Sequence, residues 1–284
     1  MEIKEPFVFQ VDSEIVQKIY KENDNYLISY NKDCVDKDTC AIYFSSNDIY
    51  FPNSEEMFKK RIIDKNFFEW YGTRFKKAYK HILLRDVYKQ WYLSGINKEI
   101  NSPESVLDFL IKETQSYEVI TIGSSAGGYA AILYGSLLNA KKALVFNAQF
   151  DISTQLNTSS SDIDPLIFRY RDSPVAEYYD IKPFINKNLE VFYFLSQESE
   201  WDFEQYQHVK DVKNINVISF STKHHGIPFL KSALNKVINL ENHQLKKIVN
   251  SKNNPILFTI RMIGLVKTIK GAYNQLVAKY KKRK

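Results

Sequence analysis

Between Glu118 and Tyr134 the chain reads EVITIGSSAGGYAAILY, and no other stretch constrains the fold as much. Val119 to Ile122 is a short, β-branched apolar run, the pattern of a buried strand. It stops at Gly123. Beyond Ser124, Ser125, Ala126, Gly127 and Gly128 comes a run from Tyr129 to Leu138 that is apolar almost all round, as in a buried helix. Gly123-x-Ser125-x-Gly127 between strand and helix is the spacing of a nucleophile elbow. A serine on so sharp a turn projects above the sheet. The residues two before and two after it approach each other closely, so both must lack bulk. The helix then starts beneath Ser125 with its free N–H groups and positive dipole end aimed at the reaction centre. Gly128, Ala130 and Ala131 let that helix pack closely on its neighbours. A phosphate-holding turn is the other use of a glycine-rich junction, but neither the P-loop nor the dinucleotide glycine pattern is present.

The rest of the chain alternates strands with helices. Residues 1–24 suggest a strand and a short helix. Strands are expected at Tyr26–Tyr30, Cys40–Phe44, His81–Leu84, Ala143–Phe146, Leu189–Leu195 and Ile215–Phe220. Residues 55–79 look helical. Ser102-Pro103 is a good helix start, with serine as cap and proline in the first turn, and Val106, Phe109 and Leu110 form that helix's apolar face to about Thr114. The expected fold is α/β: three layers, helix–sheet–helix, around a mostly parallel sheet with right-handed crossovers. Aromatics at Phe67, Phe68, Trp70, Tyr71, Phe75, Trp91 and Tyr92 serve core packing or line a sugar-binding groove. The polar segment 149–181, with a serine-rich patch at 158–161, has the place of a lid or acceptor-binding insertion. Its Arg169 and Arg171 are candidates for contact with an anionic substrate.

Active sites in such sheets gather beyond the carboxyl ends of the strands. Ser125, the acids Glu198, Glu200 and Asp202, and the pair His224/His225 each follow a strand, in the order serine, acid, histidine. Only five histidines occur in the chain, and two fall where a general base is required. His225 is favoured over His224, because Gly226 lets the loop bend the imidazole back. Asp202 is favoured among the acids, with Glu200 and Glu198 as alternatives. In this reading Ser125 attacks an acyl carbonyl, His225 takes and returns its proton, and the carboxylate fixes the tautomer and stabilises the imidazolium. The N–H groups of Ala126 and of a residue near Ser46 would hold the oxyanion. Ser45-Ser46-Asn47-Asp48 is equally ordinary turn chemistry. No metal-ligand spacing appears, and Cys34 and Cys40 read as free thiols of a reducing compartment.

Gly123-Ser-Ser-Ala-Gly-Gly128, Ser199-Glu-Trp-Asp202 and His225-Gly-Ile-Pro228 resemble the α/β-hydrolase superfamily, and within it the bacterial capsular polysaccharide O-acetyltransferases, over about residues 25–235. The acidic turn lacks the glycine usual there. The resemblance implies an enzyme that binds no resident cofactor and moves acetyl from acetyl-CoA, through an acyl-serine, to a sugar hydroxyl. A carboxylesterase or deacetylase of the same fold differs only in letting water reach the acyl-serine. A non-catalytic scaffold is the remaining expectation.

Charge divides the chain in two. The whole carries 39 Lys and Arg against 33 Asp and Glu, but residues 242–284 hold eleven of the basic residues and none of the acidic ones, which leaves 28 against 33 for residues 1–241. The expected division is therefore a catalytic domain at 1–241 and a basic tail at 242–284. In that tail Phe258, Met262, Leu265, Ile269, Ala272, Leu276 and Tyr280 make one stripe at helical spacing, ahead of four consecutive basic residues, 281–284. Such a helix suits an anionic membrane surface or packs on its own domain or a partner subunit. Nucleic acid is not expected, since the body is acidic and carries no binding motif. With no signal-peptide layout and no apolar run of about 18 residues, the expected place is the cytoplasm, peripheral to the inner face of the membrane.

Overall fold

The computed structural model describes residues 6–157 and 165–281. Among them, β1 Tyr26–Tyr30, β2 Thr39–Phe44, β3 Lys80–Leu84, β4 Glu118–Ser124, β5 Lys142–Phe146, β6 Glu190–Ser196, β7 Ile215–Phe220 and β8 Lys252–Asn253 form one sheet in the order β1-β3-β2-β4-β5-β6-β7-β8. Only β1, paired with β3, runs antiparallel. The other ladders are parallel. The helices are α1 Phe9–Asp12, α2 Glu14–Glu22, α3 Glu55–Phe58, α4 Pro103–Thr114, α5 Ala126–Leu137, α6 Pro165–Arg169, α7 Glu200–Val209, α8 Leu234–Ile238, α9 Asn242–Lys246, α10 Pro255–Ile263 and α11 Leu265–Lys281.

Because successive strand residues point to opposite faces, one sheet builds two cores. Ile42, Phe44, Val145 and Tyr193 face the first, with Val106 and Leu110 of α4 and the whole girth of α5. Tyr43, Ile122, Phe146, Phe194 and Phe220 face the second, closed by Trp70, Phe75, Val237, Leu245 and Phe258. The architecture is the expected three-layer α/β-hydrolase-like fold. β4 lies near the middle of the sheet with neighbours on both sides, so Gly123 is held by both β2 and β5, and Ser124 after it by β5.

Three local expectations are corrected. Residues 9–22 form two short helices, α1 and α2, with no strand in the described part of the N-terminus. Only 55–63 of the segment 55–79 is helical; the remainder is irregular because its polar groups bond to the sheet. There Trp70 Nε1 donates to Phe44 O at 2.9 Å, the N–H of Phe75 donates to Tyr43 Oη at 2.9 Å, and Arg85 donates to Asn66 Oδ1 at 2.8 Å. The stripe from 258 to 280 is split at Gly264, whose φ of +81° ends α10 and starts α11 on a new axis. Tyr280 lies outside the residues whose side chains are described, as do the serine-rich patch at 158–161 and residues 282–284. Both cysteines are free, Cys40 buried and Cys34 half-buried.

Candidate active site

β4 delivers Ser125 into the turn before α5 at φ +54°, ψ −123°, a conformation that L-residues seldom adopt. The turn is held from outside: the N–H of Ser125 donates to Phe146 O at 2.9 Å. A Cβ on Gly123 would stand 2.0 Å from Gly127 O, and one on Gly127 would stand 2.3 Å from Phe44 O. Both glycines are thus required by close backbone approach, as the spacing predicts. The first N–H groups of α5, beginning with Ala126, have no acceptor within the helix and surround the serine.

His225 Nε2 lies 2.8 Å from Ser125 Oγ, and His225 Nδ1 lies 2.7 Å from Asp202 Oδ1. The structure therefore brings Ser125, His225 and Asp202 together. His224 is exposed at the same cavity, and Glu198 and Glu200 are exposed as well. Helix phase makes the selection among the acids: Ser199 caps α7, accepting from the N–H of Asp202, and this turns Asp202 inward to 1% exposure. The indole of Trp201 packs on the His225 ring at 5.1 Å between centroids.

The histidine loop is strapped down by Asn147, a buried residue at φ +42° just past β5. Its Nδ2 donates to Gly226 O at 2.8 Å and to Ser196 Oγ at 2.7 Å, while Ser196 Oγ donates to His224 O at 2.6 Å. The carbonyls on both sides of His225 are held in this way. An asparagine directly after an apolar strand was the available sequence signal.

Ser46 sits on the rim of the same site, but its N–H is already engaged. It donates to Glu69 Oε2 at 2.5 Å, and Ser46 Oγ donates to Glu69 Oε1 at 3.1 Å. Burial holds the Glu69 carboxyl above the usual carboxylate range, and the two bonds from Ser46 and the nearby Lys231 offset only part of that rise. The expected oxyanion donor is thus occupied by a carboxylate in this structure. Sequence reasoning missed Glu69, which arrives from the irregular segment strapped to β2 by Trp70.

Ser125, His225, Ser46 and Glu69 open onto one cavity of about 870 Å³. Its walls carry Trp91, Trp201, Gln149, Gln155 and Gln275, with Trp91 Nε1 donating to Gln149 Oε1. Lys89 also lines it; burial lowers its ammonium to about 8, and it donates to Asn53 Oδ1 at 2.5 Å. Arg169 and Arg171 do not line the cavity. Arg169 pairs with Asp12 at 3.0 Å, and Arg171 pairs with Asp172 and lies over Phe168. Of the aromatics, Trp91 reaches the cavity while Phe68, Trp70, Phe75 and Tyr92 are core. Elsewhere Asp151, Asp180 and His208 bring ligand-type atoms within 4.8 Å of one another. They are bonded already: Asp180 Oδ1 to His208 Nε2, and Asp151 Oδ1 to both polar groups of Ser153.

The buried, mostly parallel sheet with helices on both faces defines a fold of the α/β-hydrolase type, and it carries a strained serine just past a central strand with an imidazole and a carboxylate in line. No family model matches the sequence, and no curated protein matches it. Solved structures similar in fold include the capsule O-acetyltransferase of Neisseria meningitidis serogroup A, a variant of which was solved with CoA (16% identity, 70% of this chain and 83% of that one, TM-score 0.45). They also include esterase B of Lactobacillus rhamnosis (11%, 92% and 86%, 0.44) and the fluorophosphonate-binding serine hydrolase FphF of Staphylococcus aureus (12%, 82% and 91%, 0.44). At such identities activity does not transfer from one chain to another.

Proposed function

We propose that the chain is a serine-dependent O-acetyltransferase that moves acetyl from acetyl-CoA to a hydroxyl of a bacterial surface polysaccharide. The observation that carries the reading is the line Ser125 Oγ, His225 Nε2, His225 Nδ1, Asp202 Oδ1, with spacings of 2.8 and 2.7 Å. Ser125 Oγ attacks the thioester carbonyl as His225 takes its proton. The C–S bond breaks, the CoA sulfur leaves with that proton, and the acetyl group remains on Ser125. An acceptor hydroxyl then gives its proton to His225 and attacks the acetyl carbonyl; the bond from Ser125 Oγ to the acetyl carbon breaks, His225 returns the proton to Ser125 Oγ, and the acceptor leaves as the ester. Asp202 holds the imidazole in the tautomer that presents a bare Nε2 to the serine. Ala126 N–H and Ser46 N–H are the proposed oxyanion donors, the second once Glu69 has yielded it.

A polysaccharide acceptor is supported by the walls, which carry both side-chain amides and indoles; amides match sugar hydroxyls and indole faces match the apolar face of a pyranose. The same groups would hydrolyse an ester if water reached the acyl-serine. Residues 149–181 supply Gln149, Gln155 and Leu166 to the cavity and are proposed as the acceptor-side insertion. The inner surface of an anionic membrane is the proposed place of action, through the tail 255–284.

Mass spectrometry of the protein mixed with acetyl-CoA tests the reading. An increase of about 42 Da, one acetyl group on the serine, is expected for the wild type and not for Ser125→Ala. Absence of the adduct, with p-nitrophenyl acetate hydrolysed at a rate indifferent to added glycan, would make the chain an esterase.

A further inference from the structure

α11 packs on the body by its polar side. Thr268 and Gly271 are its buried positions, and a Cβ on Gly271 would stand 2.3 Å from Ser232 Oγ, so the two backbones lie close. Gln275 Oε1 accepts from the N–H of Lys231 at 3.1 Å, and both residues line the active-site cavity. The apolar residues of this helix are on the other side. Leu265, Val266, Ile269, Tyr273 and Leu276 are each 57–80% exposed. At 3.6 residues per turn they fall within about 100° of one another, a single stripe roughly 17 Å long. Lys270, exposed, borders it about 40° beyond Val266, and Lys267, also exposed, stands further round the helix. A surface helix ordinarily buries such a stripe; this one turns it to the outside.

We propose that this stripe is a docking surface for an anionic lipid bilayer, on which the helix lies flat with the cavity rim at the membrane. The argument for lipid is charge. Residues 242–284 hold eleven basic residues and no acidic one. A bilayer with anionic headgroups offers hydrocarbon for the stripe and negative charge for the basic residues of this tail. A second copy of the chain fits less well: a two-fold contact between stripes would set two basic tails against each other. Among the described residues of the acidic body, the exposed large apolar side chains, such as Phe7, Tyr30, Val35 and Ile111, come singly from separate segments and make no matching stripe. The helix lies on the membrane and does not enter it, since no helix among the described residues is long and apolar enough to cross. The Gln275–Lys231 bond joins the docked helix to the wall of the site, so a membrane-borne acceptor would meet the cavity on the side where α11 lies.

This inference does not depend on the chemistry at Ser125. The test is flotation of the full chain with vesicles of phosphatidylcholine alone or mixed with phosphatidylglycerol, at low and high salt. Binding to the anionic vesicles only, lost at high salt, is expected. The double substitution Ile269→Glu, Leu276→Glu alters exposed positions and should leave the melting temperature unchanged while lowering vesicle binding by at least about tenfold. Ser125→Ala should bind as the wild type does, so a failure of the acyl-transfer reading would leave this result standing. Equal binding to both vesicle types, or none, overturns the proposal. So does a dimer in light scattering that the double variant converts to monomer without any vesicle binding, which would assign the stripe to a second copy.

Discussion

Under the proposed mechanism, replacing Glu69 by glutamine is expected to raise the rate at which Ser125 is acylated. In the resting structure the Ser46 N–H is given to a carboxylate at 2.5 Å. An acyl oxygen that needs this N–H must first displace that acceptor. A hydrogen bond to a charged group is worth about 1.5–3 kcal/mol and one between neutral groups about 0.5–1.5 kcal/mol. Exchanging carboxylate for amide therefore makes displacement easier by about 1.4 kcal/mol, or roughly tenfold in rate. A negative charge beside a developing oxyanion opposes the transition state as well, so removing it acts in the same direction. The gain stays below the full worth of one oxyanion donor, about 3 kcal/mol, because the glutamine oxygen still competes for the N–H. Folding should be unaffected, since Trp70 Nε1 to Phe44 O and Phe75 N–H to Tyr43 Oη keep the segment on the sheet. The assay is the pre-steady-state burst of p-nitrophenol from the acetyl ester, with melting temperature as control. A tenfold fall in burst rate at unchanged melting temperature would refute the argument. It would make Glu69 a working part of the site and remove Ser46 from the oxyanion donors.

Two further outcomes follow from the packing. Gly123→Ala drives a methyl group into the backbone of Gly127 and Gly128, which cannot swing aside, and should cost about 3 kcal/mol in urea unfolding; a variant as stable as the wild type would show that the elbow is looser than drawn. His81, 3% exposed and bonded to Tyr43 Oη at 2.9 Å, is lowered to about 4 by burial and then by Arg74. Its folded pKa lies below its unfolded value, so the unfolded chain binds more protons and stability falls as pH drops from about 6.5 to 4, by about 3 kcal/mol in all. His81→Gln should remove that part of the acid sensitivity, and parallel pH curves for the two proteins would disprove it.

The elbow was legible because everything that makes it is local. A β-branched run, two glycines at fixed spacing and an apolar helix specify strand, turn and helix without reference to the rest of the chain. Asp202 was nearly as accessible: Ser199 as a cap, with α7 starting at Glu200, sets the helix phase that points residue 202 inward and leaves Glu198 and Glu200 outside. Glu69 had no such signal. Its neighbours have the composition of an amphipathic helix, and the segment gives up that helix because Tyr43, Phe44 and Arg85 offer its polar groups better partners than the next turn would. Those partners are assembled only when the sheet forms.

The tail sets the same limit from the other side. Its periodicity places Leu265, Ile269 and Leu276 on one face of α11 but runs on across the break at Gly264 to Phe258, which is core, and periodicity carries no sign: it says that a stripe exists and not whether the stripe turns inward. Here the sign is decided by two residues outside the pattern. Gly264, at φ +81°, lets α11 leave the axis of α10, and Gly271 lets its polar side lie against Ser232 more closely than any side chain would allow. Giving residue 271 a side chain should therefore loosen α11 from the body and break the Gln275–Lys231 bond, while leaving the stripe intact. Gly271→Val should still float with anionic vesicles, because the lipid contacts are unchanged, yet become sensitive to limited proteolysis between 264 and 271. Loss of vesicle binding in that variant would show that the helix docks only when braced by the domain beneath it.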